Sequence, residues 1–587
     1  MCGIAGYFNA KVEEKDLTQK FIDSIKHRGP DDDGSYSYKN CTIINTRLSI
    51  IDLASGKQPM FSDDGNISVV QNGEIYNYIE LREELIGFGY HFRTNSDTEV
   101  LLALYQKFGK TFVNKLNGMF AIAIIDRLEN KLFIYRDRLG VKPLYIYNKN
   151  GTFLFSSEIK TFLKYPNFDS EINKQSIHNY LIYNYVPIPD TIFKNVKHLN
   201  PGSFVEISLD DNTVSYTKYW SLENSKEIEV KNENELIDEI SDLLLDATKV
   251  RLRSDVPVGA FLSGGLDSSL ICAYMNQITK SSFDTFTIGF HEKEFDESEY
   301  ANYINDKYSL IKNIKFLDAD IIELWNKTTW HNDQPHGDIS FIPTYILSDF
   351  TSNKYKVVLT GDGGDELFAG YTKYLTLMTN NINDVEYFNS ISLFKIDSNF
   401  KELYDNNFYN EINIRQPLEL FLETIKQVDL KDDVNKALFF DVAQLLPGNN
   451  LVKPDKMAMA NGLETRSPFL DFRFYELMFK VPGDFKLRNN DTKYILKKLA
   501  LKHFKQEHVY RKKQMFTVPI GEWFKNKLST YLIDIVTSER FKSRGIFNNN
   551  YVLDMCKKHI SGEANFTREL RAIVNLELWF RSFIDNN

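Results

Sequence analysis

Apolar and polar positions follow different patterns in the two parts of the chain. In the first ~200 residues, short apolar and β-branched runs stand between turn residues, which is typical of strands. The predicted strands are 42–51, 67–71, 119–125, 131–135, 144–147 and 153–155. Residues 79–88 and 98–108 are predicted helices, and Ser96 with Glu99 predicts a capping box at the start of the second. Strands joined by short turns, with few helices, indicate a layered α+β domain.

After residue 220 the elements become longer and change their order. Residues 210–235 are polar and acidic, and we place a domain boundary at residue 220. Beyond it, predicted helices alternate with predicted strands, which indicates a parallel α/β sheet. The helices are 235–251 and 270–278, and the strands are 258–262, 283–290 and 356–360. The last third is predicted to be mainly helical. It contains an apolar stripe formed by Leu570, Ile573, Val574, Leu576, Phe580 and Phe583.

Composition narrows the class of protein. The chain has 587 residues, 43% of them hydrophobic and 14% aromatic, which suffices for two folded domains at residues 1–220 and 221–587. Seventy basic and 80 acidic residues give a net charge of −10, which disfavours nucleic-acid binding because that role needs a basic face. No uncharged apolar run reaches the ~18 residues that a membrane span needs, and residues 1–9 lack the features of a signal peptide. We expect a cytoplasmic protein, and retain a homodimer as an alternative to a monomer.

The second residue, Cys2, is a candidate nucleophile. Removal of Met1 would give Cys2 both a thiol and a free α-amine. The thiolate is the nucleophilic form, and because free cysteine titrates near ~8.5 it needs a base. The α-amine, with a pKa of about 7.7–8.0, can serve as that base without a histidine. The alternative interpretation is an ordinary small residue near a terminus. The four cysteines form no CxxC pair, so neither a disulfide framework nor a zinc site is predicted.

Four further polar positions favour a functional role for Cys2. Arg47 carries a guanidinium that suits a substrate carboxylate. Asn72 and Gly73 follow a predicted strand, where an amide and a backbone N–H could hold an oxyanion, and Glu74 could bind an ammonium. Asn-Gly is also a common turn. Asp97 could bind the same ammonium, or simply favour the dipole of the helix that it precedes.

Together these segments resemble the class II glutamine amidotransferases, whose glutaminase domain is an N-terminal-nucleophile αββα sandwich. The matching segments are 2–6 (CGIAG), 27–31 (HRGPD), 47–52 (RLSIID), 72–77 (NGEIYN), 96–99 (SDTE) and 136–137 (RD). The resemblance implies that Cys2 attacks the side-chain amide of glutamine and that Asn72 and Gly73 form the oxyanion hole. A thioester and free ammonia result. The resemblance assigns glutamine binding to Arg47, Leu48, Ser49, Ile50, Ile51, Asn72, Gly73, Glu74 and Asp97.

A Gly/Ser turn in the second part has the character of a phosphate-binding loop. Residues 263–269 (SGGLDSS) stand between an apolar strand and an apolar helix, so Gly264 and Gly265 can let the backbone approach a phosphate. No lysine occupies the Walker position, so this is not the common P-loop. Asp267 would repel phosphate unless a cation intervened, and Mg²⁺ is the expected cation. The alternative is a turn that only caps a helix.

A second acidic, glycine-rich turn, 361–366 (GDGGDE), follows the predicted strand 356–360. The carboxyl end of a strand in an open α/β sheet is a usual place for a ligand. Asp365 could therefore share the metal with Asp267.

This part resembles the pyrophosphatase-loop synthetases, and the whole chain resembles the glutamine-hydrolysing asparagine synthetases. The additional matches are 254–257 (SDVP), 295–298 (FDES), 463–471 (LETRSPFLD) and Trp523. The resemblance implies that ATP, with Mg²⁺, converts an acceptor carboxylate to an acyl-adenylate, and that ammonia arrives through an internal tunnel. It assigns ATP binding to Leu262, Ser263, Gly264, Gly265, Asp267, Ser268, Ser269, Ile288, Thr360 and Gly361, and the metal to Asp267 and Asp365. Asp362 and Lys493 are assigned to the reaction, with a solvated helix lysine as the alternative for Lys493.

The acceptor is the open point. Many aspartate-specific members carry a glutamate where this chain has Asp362, and a serine or alanine at Gly364. Segment 446–457 (LPGNNLVKPDKM) resembles a branch that includes amidases of other carboxylates. We expect aspartate, with a uronic acid of a surface polysaccharide or a peptidoglycan diamino acid as alternatives. A third alternative, a regulatory homologue without activity, is disfavoured because Cys2, Asp267 and Asp365 are all present.

Overall fold

The structure is a computed structural model that describes residues 2–10, 14–291, 296–317, 321–378, 382–512 and 518–585. Residue 295, which begins the predicted 295–298 motif, lies outside the described residues. None of the helices described has the length together with the apolar character that crossing a membrane requires.

Two antiparallel sheets organise the first part of the chain. Their strands are β1 Cys2–Phe8, β2 Asp32–Tyr38, β3 Cys41–Arg47, β4 Met60–Phe61, β5 Ile67–Ile75, β6 Gly118–Asp126, β7 Lys131–Arg136, β8 Tyr145–Lys149, β9 Thr152–Ser156, β10 Val196–His198, β11 Ser203–Ser208 and β12 Val214–Lys218. One sheet has the order β10-β8-β9-β1-β3-β2 and the other β12-β11-β7-β6-β5-β4. The helices are α1 Glu14–Ile25, α2 Tyr78–Gly87, α3 Asp97–Phe108 and α4 Lys174–Tyr183.

The two sheets pack face to face. Apolar residues of both sheets form one core, to which β1 contributes Ile4, β3 Ile43 and β5 Val70. Helix α1 packs on the outer face of the first sheet, and α2 and α3 pack on the outer face of the second. These four layers form the predicted αββα sandwich.

All six predicted strands of this part are present; four have limits within two residues of the prediction, and two differ by more. Strand β3 ends at Arg47, so residues 48–51 form a loop instead of a strand. Strand β5 continues to Ile75, so the prediction that Asn72 and Gly73 follow the strand is wrong. Pairing of β5 with β6 along its whole length outweighs the local turn preference of Asn-Gly.

Helices α2 and α3 confirm the two predicted helices, but the predicted capping box is wrong. The Ser96 hydroxyl does cap α3, accepting a hydrogen bond from Thr98 N at 3.2 Å. The Glu99 carboxylate accepts from Arg93 N and Thr94 N, at 2.9 and 2.8 Å, instead of from the Ser96 backbone. Glu99 thus orders the loop before the helix.

A five-stranded parallel sheet organises the second part. Its strands are β13 Val258–Phe261, β14 Asp284–Gly289, β15 Ile311–Phe316, β16 Val357–Leu359 and β17 Glu464–Arg466. Their order is β15-β14-β13-β16-β17, with every neighbouring pair parallel. Strands β13, β14 and β16 confirm the three predicted strands, whereas β15 and β17 were not predicted. A short hairpin, β18 Leu487–Arg488 and β19 Asp491–Thr492, is separate from this sheet.

Helices cover the parallel sheet and form the rest of the described chain. They are α5 Glu233–Arg251, α6 Leu266–Thr279, α7 Ser298–Tyr308, α8 Ile321–Asn332, α9 Phe341–Ser352, α10 Gly364–Leu367, α11 Asp384–Ile391, α12 Phe400–Leu403, α13 Asn406–Asn410, α14 Gln416–Ile425, α15 Asp433–Phe440, α16 Val452–Met459, α17 Phe472–Met478, α18 Tyr494–Ala500, α19 Gln506–Val509, α20 Ile520–Lys525, α21 Ser529–Thr537, α22 Glu539–Ser543, α23 Asn549–Ser561 and α24 Thr567–Phe580. A π-helix, Asp441–Asn450, joins α15 to the segment before α16. The predicted helices are confirmed, and so is the buried apolar stripe, which runs along α24 and into the π-helical segment Arg581–Asp585 that carries Phe583.

Candidate active sites

Cys2 is the first residue of β1 and lies opposite Arg47 on β3. Its side chain is buried, and its backbone N–H donates a hydrogen bond to Asn72 Oδ1 on the other sheet at 3.2 Å. Burial raises the pKa of the thiol, while the Leu48 N–H and the Arg47 guanidinium act to lower it. Three of the predicted glutamine-site residues therefore surround a thiol that needs a base to ionise.

The positions of Asn72 and Gly73 are set by close packing. Asn72 Nδ2 donates one hydrogen bond to Ser157 Oγ at 3.3 Å. An amide nitrogen carries two hydrogens, so this bond leaves the second N–H of Asn72 for a ligand. Gly73 has a φ of 147°, and a Cβ at this position would lie 1.9 Å from the carbonyl oxygen of Met119. Only glycine therefore fits beside β6 at this point.

The Arg47 guanidinium is surrounded by the loop that follows β3. Its NH2 group donates to the carbonyl oxygens of Ile51, at 3.1 Å, and Asp52, at 2.7 Å. Gly56 makes room for it, because a Cβ there would lie 2.4 Å from this nitrogen. In the described ranges Arg47 has no ion pair with a protein carboxylate, so its charge is available to a ligand.

The loop 48–51 is held from both parts of the chain. The Ser49 N–H donates to Asp31 Oδ2 at 2.7 Å, and the Ile50 carbonyl accepts from Asp255 N at 3.0 Å. Leu48, Ile50 and Ile51 are buried against apolar side chains of the second part. These residues therefore shape the wall of the Cys2 site through backbone and apolar contacts.

The two predicted ammonium-binding carboxylates have different surroundings. Asp97 Oδ2 accepts hydrogen bonds from two neutral donors, Gln71 Nε2 and Ile75 N, both at 3.0 Å, and burial raises its pKa. Glu74 Oε1 lies 3.2 Å from Arg466 NH2, a residue of the second part. Burial nevertheless raises the pKa of Glu74, so Arg466 does not fully offset the loss of water. Both carboxylates would gain from an added cation.

The predicted phosphate loop lies between β13 and α6. Gly265 caps α6, whose first N–H groups are unpaired at such an end. Gly264 has a φ of 74°, and a Cβ there would lie 2.6 Å from Ala301 N, so the loop packs closely on α7. The hydroxyls of Ser263 and Ser268 lie 3.2 Å apart at the turn.

The Ser269 hydroxyl differs from those of Ser263 and Ser268, because its partner in the described structure lies outside the turn. Ser269 is fully buried, and its Oγ lies 3.3 Å from His508 Nε2. Its predicted role as a phosphate donor is therefore less direct than that of Ser268.

Lys493 lies between the two predicted metal carboxylates. Its Nζ is 2.5 Å from Asp267 Oδ2 and 2.6 Å from Asp365 Oδ1. Burial acts against its charge, but the two carboxylates outweigh burial and raise its pKa. Gly370 packs closely against this ion pair, and a Cβ at position 370 would lie only 1.9 Å from Asp365 Oδ1. Lys493 is buried, so the alternative of a solvated helix lysine is wrong.

This geometry is compatible with a magnesium ion that is shared with a ligand. Among the residues that the structure describes, no group of three or more His, Cys, Asp and Glu side chains could hold a metal unaided. Mg²⁺ commonly binds through one or two carboxylates together with substrate phosphates and water. Asp267 and Asp365 already converge on one ammonium, so both can reach one cation.

The predicted adenosine-binding residues lie together at the carboxyl ends of adjacent strands. Leu262 follows β13, Ile288 lies near the end of β14, and Thr360 and Gly361 follow β16. A Cβ at Gly361 would lie 2.8 Å from Ser268 N, so this turn contacts the start of α6. Ligands of open α/β sheets bind at this edge.

Asp362 is buried beside the same edge. Its Oδ2 accepts a hydrogen bond from Thr360 Oγ1 at 2.7 Å, and its backbone carbonyl accepts from Ser467 Oγ at 2.6 Å. Burial raises its pKa, and the neighbouring charges of Asp267 and Asp365 add to the rise.

Sequence reasoning missed a buried polar cluster formed by Glu366, Tyr371 and Asn450. Glu366, next to Asp365, is 1% exposed and accepts hydrogen bonds from Tyr371 OH, at 2.8 Å, and Asn450 Nδ2. Over the described ranges no Lys, Arg or His pairs with its carboxylate. Lys453 lies near this cluster: burial acts against its charge, but Asp338, and to a smaller extent Asp362 and Glu366, raise its pKa. Asn450 and Lys453 belong to segment 446–457, whose departure from the family pattern was the available signal.

Sequence reasoning also missed buried ion pairs between the two parts. Arg28 Nε donates to the Cys2 carbonyl at 3.3 Å, and its other nitrogens bind Glu158, at 3.0 Å, and Asp455, at 2.8 Å. Lys142 adds a contact to Asp455 at 3.3 Å. The interface between the two parts beside Cys2 is therefore held by buried ion pairs and hydrogen bonds. The tunnel that the resemblance implies stays a prediction.

Comparisons with known proteins identify related sequences for both parts. A family model described as asparagine synthase matches residues 239–581, and one described as a glutamine amidotransferase domain matches residues 1–220. Asparagine synthetase (glutamine-hydrolyzing) 1 of Bacillus subtilis strain 168 is 33% identical, covering 99% of this chain and 96% of its own length. The proteins numbered 3 and 2 from that strain are 30% and 29% identical, covering 89% and 91% of this chain and 89% and 74% of their own lengths.

Proposed function

Because this chain belongs to the glutamine-hydrolysing asparagine synthetase family, we propose that it transfers the amide nitrogen of glutamine to the side-chain carboxylate of aspartate. Family membership makes it a glutamine-hydrolysing carbon–nitrogen ligase. The proposal adds aspartate as the acceptor, ATP with Mg²⁺ as the activating pair, and a role for each residue. The division of the chain at residue 220 is part of it.

Cys2 is the proposed nucleophile of the glutaminase half. With Met1 removed, the α-amine of Cys2 takes the thiol proton as the sulfur attacks the glutamine amide carbon. The free N–H of Asn72 and the Gly73 N–H hold the oxygen that becomes negative. The C–N bond breaks, the nitrogen leaves as ammonia with that proton, and water later hydrolyses the thioester to glutamate.

Arg47, Glu74 and Asp97 are proposed to hold the two charges of glutamine. The Arg47 guanidinium, which among the described residues bonds to carbonyl oxygens and to no carboxylate, suits the α-carboxylate, and the two buried carboxylates suit the α-ammonium. Residues 48–51 close the site by burial. A ligand without an α-carboxylate or an α-ammonium is excluded, because the protein groups that bind these charges would stay unpaired.

The second half is proposed to activate the acceptor with ATP. The start of α6 and the turn at 263–268 receive the phosphates, and Asp267 and Asp365 would hold Mg²⁺ with phosphate oxygens. Magnesium bound there neutralises negative charge on the pyrophosphate. The acceptor carboxylate attacks the α-phosphorus and pyrophosphate leaves, with Lys493 stabilising its charge. Ammonia then displaces AMP from the acyl carbon, and Asp362 takes the proton that the nitrogen loses.

The observation that favours an amino acid as acceptor is the state of Glu366. A buried carboxylate with only neutral donors is costly, and an ammonium from the ligand would offset that cost. Lys453 lies near the buried polar cluster, within electrostatic reach of Glu366, and its Nζ donates to Asp338 Oδ2 and Ser340 Oγ, at 3.0 and 2.8 Å. It offers a cation for the α-carboxylate. A uronic acid has no ammonium to place against Glu366, whereas a diamino acid does.

Glu366→Gln is expected to raise the KM for aspartate by ~10- to 100-fold, because a charge-assisted hydrogen bond to the ammonium is lost. The assay is AMP formation with ATP, Mg²⁺ and ammonia, with aspartate varied. Glutamine hydrolysis measured separately should not change. The matched control is Glu419→Gln on the surface of α14, which should leave both activities unchanged.

The same assay on wild type separates the acceptors. Aspartate should yield AMP and the amide, whereas a uronic acid should yield neither. Efficient amide formation with a sugar acid and none with aspartate would refute the acceptor while leaving the ligase reaction intact. An unchanged aspartate KM in Glu366→Gln would refute the role of Glu366. A protein without activity on any carboxylate would favour the regulatory alternative.

A further inference from the structure

We propose that Arg466 is a positioning residue that couples the glutamine site to the acceptor-activating site. The inference rests on the proposed function of both halves and concerns how the two sites influence each other. Arg466 belongs to the second part, on β17, yet its side chain contacts Glu74 in the first. Its backbone and its neighbour hold the turn that carries Asp362.

The guanidinium of Arg466 is buried, hydrogen-bonded through Nε and NH1, and in ion-pair contact with Glu74 through NH2. Arg466 is 1% exposed, and its Nε donates to Glu464 Oε1 at 2.5 Å. Its NH1 donates to the carbonyl oxygens of Arg251, at 2.9 Å, and Arg253, at 2.6 Å. Its NH2 lies 3.2 Å from Glu74 Oε1. A planar guanidinium with several fixed partners cannot move away from one of them without disturbing the others.

Glutamine would change the electrostatic balance at this end. Burial raises the pKa of Glu74, and the charges of Glu464 and Asp97 raise it further, against the lowering effect of Arg466. Because Glu74 is proposed to bind the α-ammonium, a bound glutamine brings a second cation to a carboxylate that Arg466 already contacts. Glutamine therefore competes with Arg466 for Glu74 and alters the geometry that the guanidinium prefers.

The backbone end is joined to the acceptor-activating site by three hydrogen bonds. The Arg466 carbonyl accepts from Thr360 N at 2.9 Å, which extends the pairing of β17 with β16. Ser467 Oγ donates to the Asp362 carbonyl at 2.6 Å, and Thr360 Oγ1 donates to Asp362 Oδ2 at 2.7 Å. The path from Glu74 to Asp362 therefore consists of one ion pair, at Glu74, followed by hydrogen-bonded groups. A shift of Arg466 at one end acts on the turn at the other.

Binding linkage makes the coupling measurable from either side. If aspartate and ATP change the affinity for glutamine, glutamine changes theirs by the same factor, typically about 5- to 150-fold in coupled proteins. In the Cys2→Ala parent, which keeps Arg466 and Ser467 as in wild type, ATP with aspartate should shift the Kd of glutamine by a factor in this range. The Kd is read by tryptophan fluorescence in the Cys2→Ala protein, which binds glutamine without hydrolysing it.

Arg466→Gln, made in the Cys2→Ala background, should bring this coupling factor close to one. Ser467→Ala should also reduce it, although it leaves the guanidinium and Glu74 untouched and should not change the Kd of glutamine measured without ATP. The matched control is Arg253→Gln. Arg253 also spans the two parts, with its NH2 2.5 Å from Glu80 Oε1, but its side chain has no contact with Asp362 or Thr360 in the described structure. It should retain the wild-type coupling.

Thermal unfolding separates a loss of coupling from a loss of folding. If Arg466→Gln is unfolded because Glu464 and Glu74 lose a buried partner, Ser467→Ala decides the question alone. A wild-type coupling factor that persists in Ser467→Ala, or a factor of one in the parent protein, would overturn the inference. If the enzyme with Cys2 restored forms no amide from glutamine with any carboxylate, the proposed function fails instead, which is a distinguishable result.

Discussion

Cys2→Ala will abolish glutamine-dependent amide formation, while ammonia-dependent formation continues near the wild-type rate. The thiol lies on β1 of the αββα sandwich, whereas Asp267, Asp365 and Lys493 lie at the edge of the parallel sheet. Removal of the nucleophile removes the covalent route to ammonia, and in a well-studied hydrolase such a change costs on the order of 10⁶-fold in kcat. Asparagine and glutamate are measured with each nitrogen source, after traces of ammonia have been removed.

Cys41→Ala is the matched control for this experiment. Cys41 is a buried cysteine on the neighbouring strand β3, opposite Phe8 at the far end of β1. It should retain glutamine-dependent synthesis and lose some stability through the small cavity. Glutamine turnover that survives in Cys2→Ala would show that another group is the nucleophile. Loss of both activities would contradict the proposal that acceptor activation and its use of ammonia do not need the Cys2 thiol.

Asp267→Asn and Asp365→Asn will each stop pyrophosphate release with both nitrogen sources. Each carboxylate lies within 2.6 Å of the Lys493 ammonium, so either change removes half of the anionic pair that is proposed to hold Mg²⁺. The loss should be at least ~10²-fold, which is typical when one preorganised electrostatic group at a reacting centre is removed. Hydrolysis of glutamine to glutamate in the same preparations should persist.

The matched control is Asp238→Asn, which changes an exposed carboxylate on α5 that pairs only at the surface with Lys502. Surface pairs of this kind contribute little, so synthesis should be unaffected. Higher Mg²⁺ should restore part of the lost activity if the defect is metal affinity. Near-normal pyrophosphate release by Asp267→Asn would refute the metal assignment.

Much of the fold could be predicted because periodic patterns are local. Strands β6, β7, β8 and β9, the helices α2 and α3, and the sheet strands β13, β14 and β16 all carry recognisable apolar runs. Strand β17 could not be predicted, since it has only three residues and owes its pairing to β16, about a hundred residues earlier in the chain. Such an element is defined by its partner and not by its own pattern.

The prediction of the candidate sites was limited in the same way. Cys2, Arg47, Asn72 and Asp267 stand in segments whose residue types indicate their chemistry. Glu366 meets Asn450, and Glu74 meets Arg466, only through the tertiary fold. Arg466 is part of a motif that the sequence resemblance includes, but no local signal joins it to Glu74. The cytoplasmic location, the homodimer alternative and the ammonia tunnel stay predictions of the sequence.

One isotope experiment tests the central claim most directly, which is that the amide nitrogen of glutamine reaches an acceptor carboxylate activated by ATP. Aspartate labelled with ¹⁸O in its side-chain carboxylate is incubated with glutamine labelled with ¹⁵N in its amide, ATP, Mg²⁺ and the wild-type enzyme, and the products are analysed by mass spectrometry. The account predicts ¹⁵N in the side-chain amide of asparagine, one ¹⁸O in AMP, and unlabelled pyrophosphate. Formation of ADP with ¹⁸O in orthophosphate, or asparagine without ¹⁵N, would contradict it.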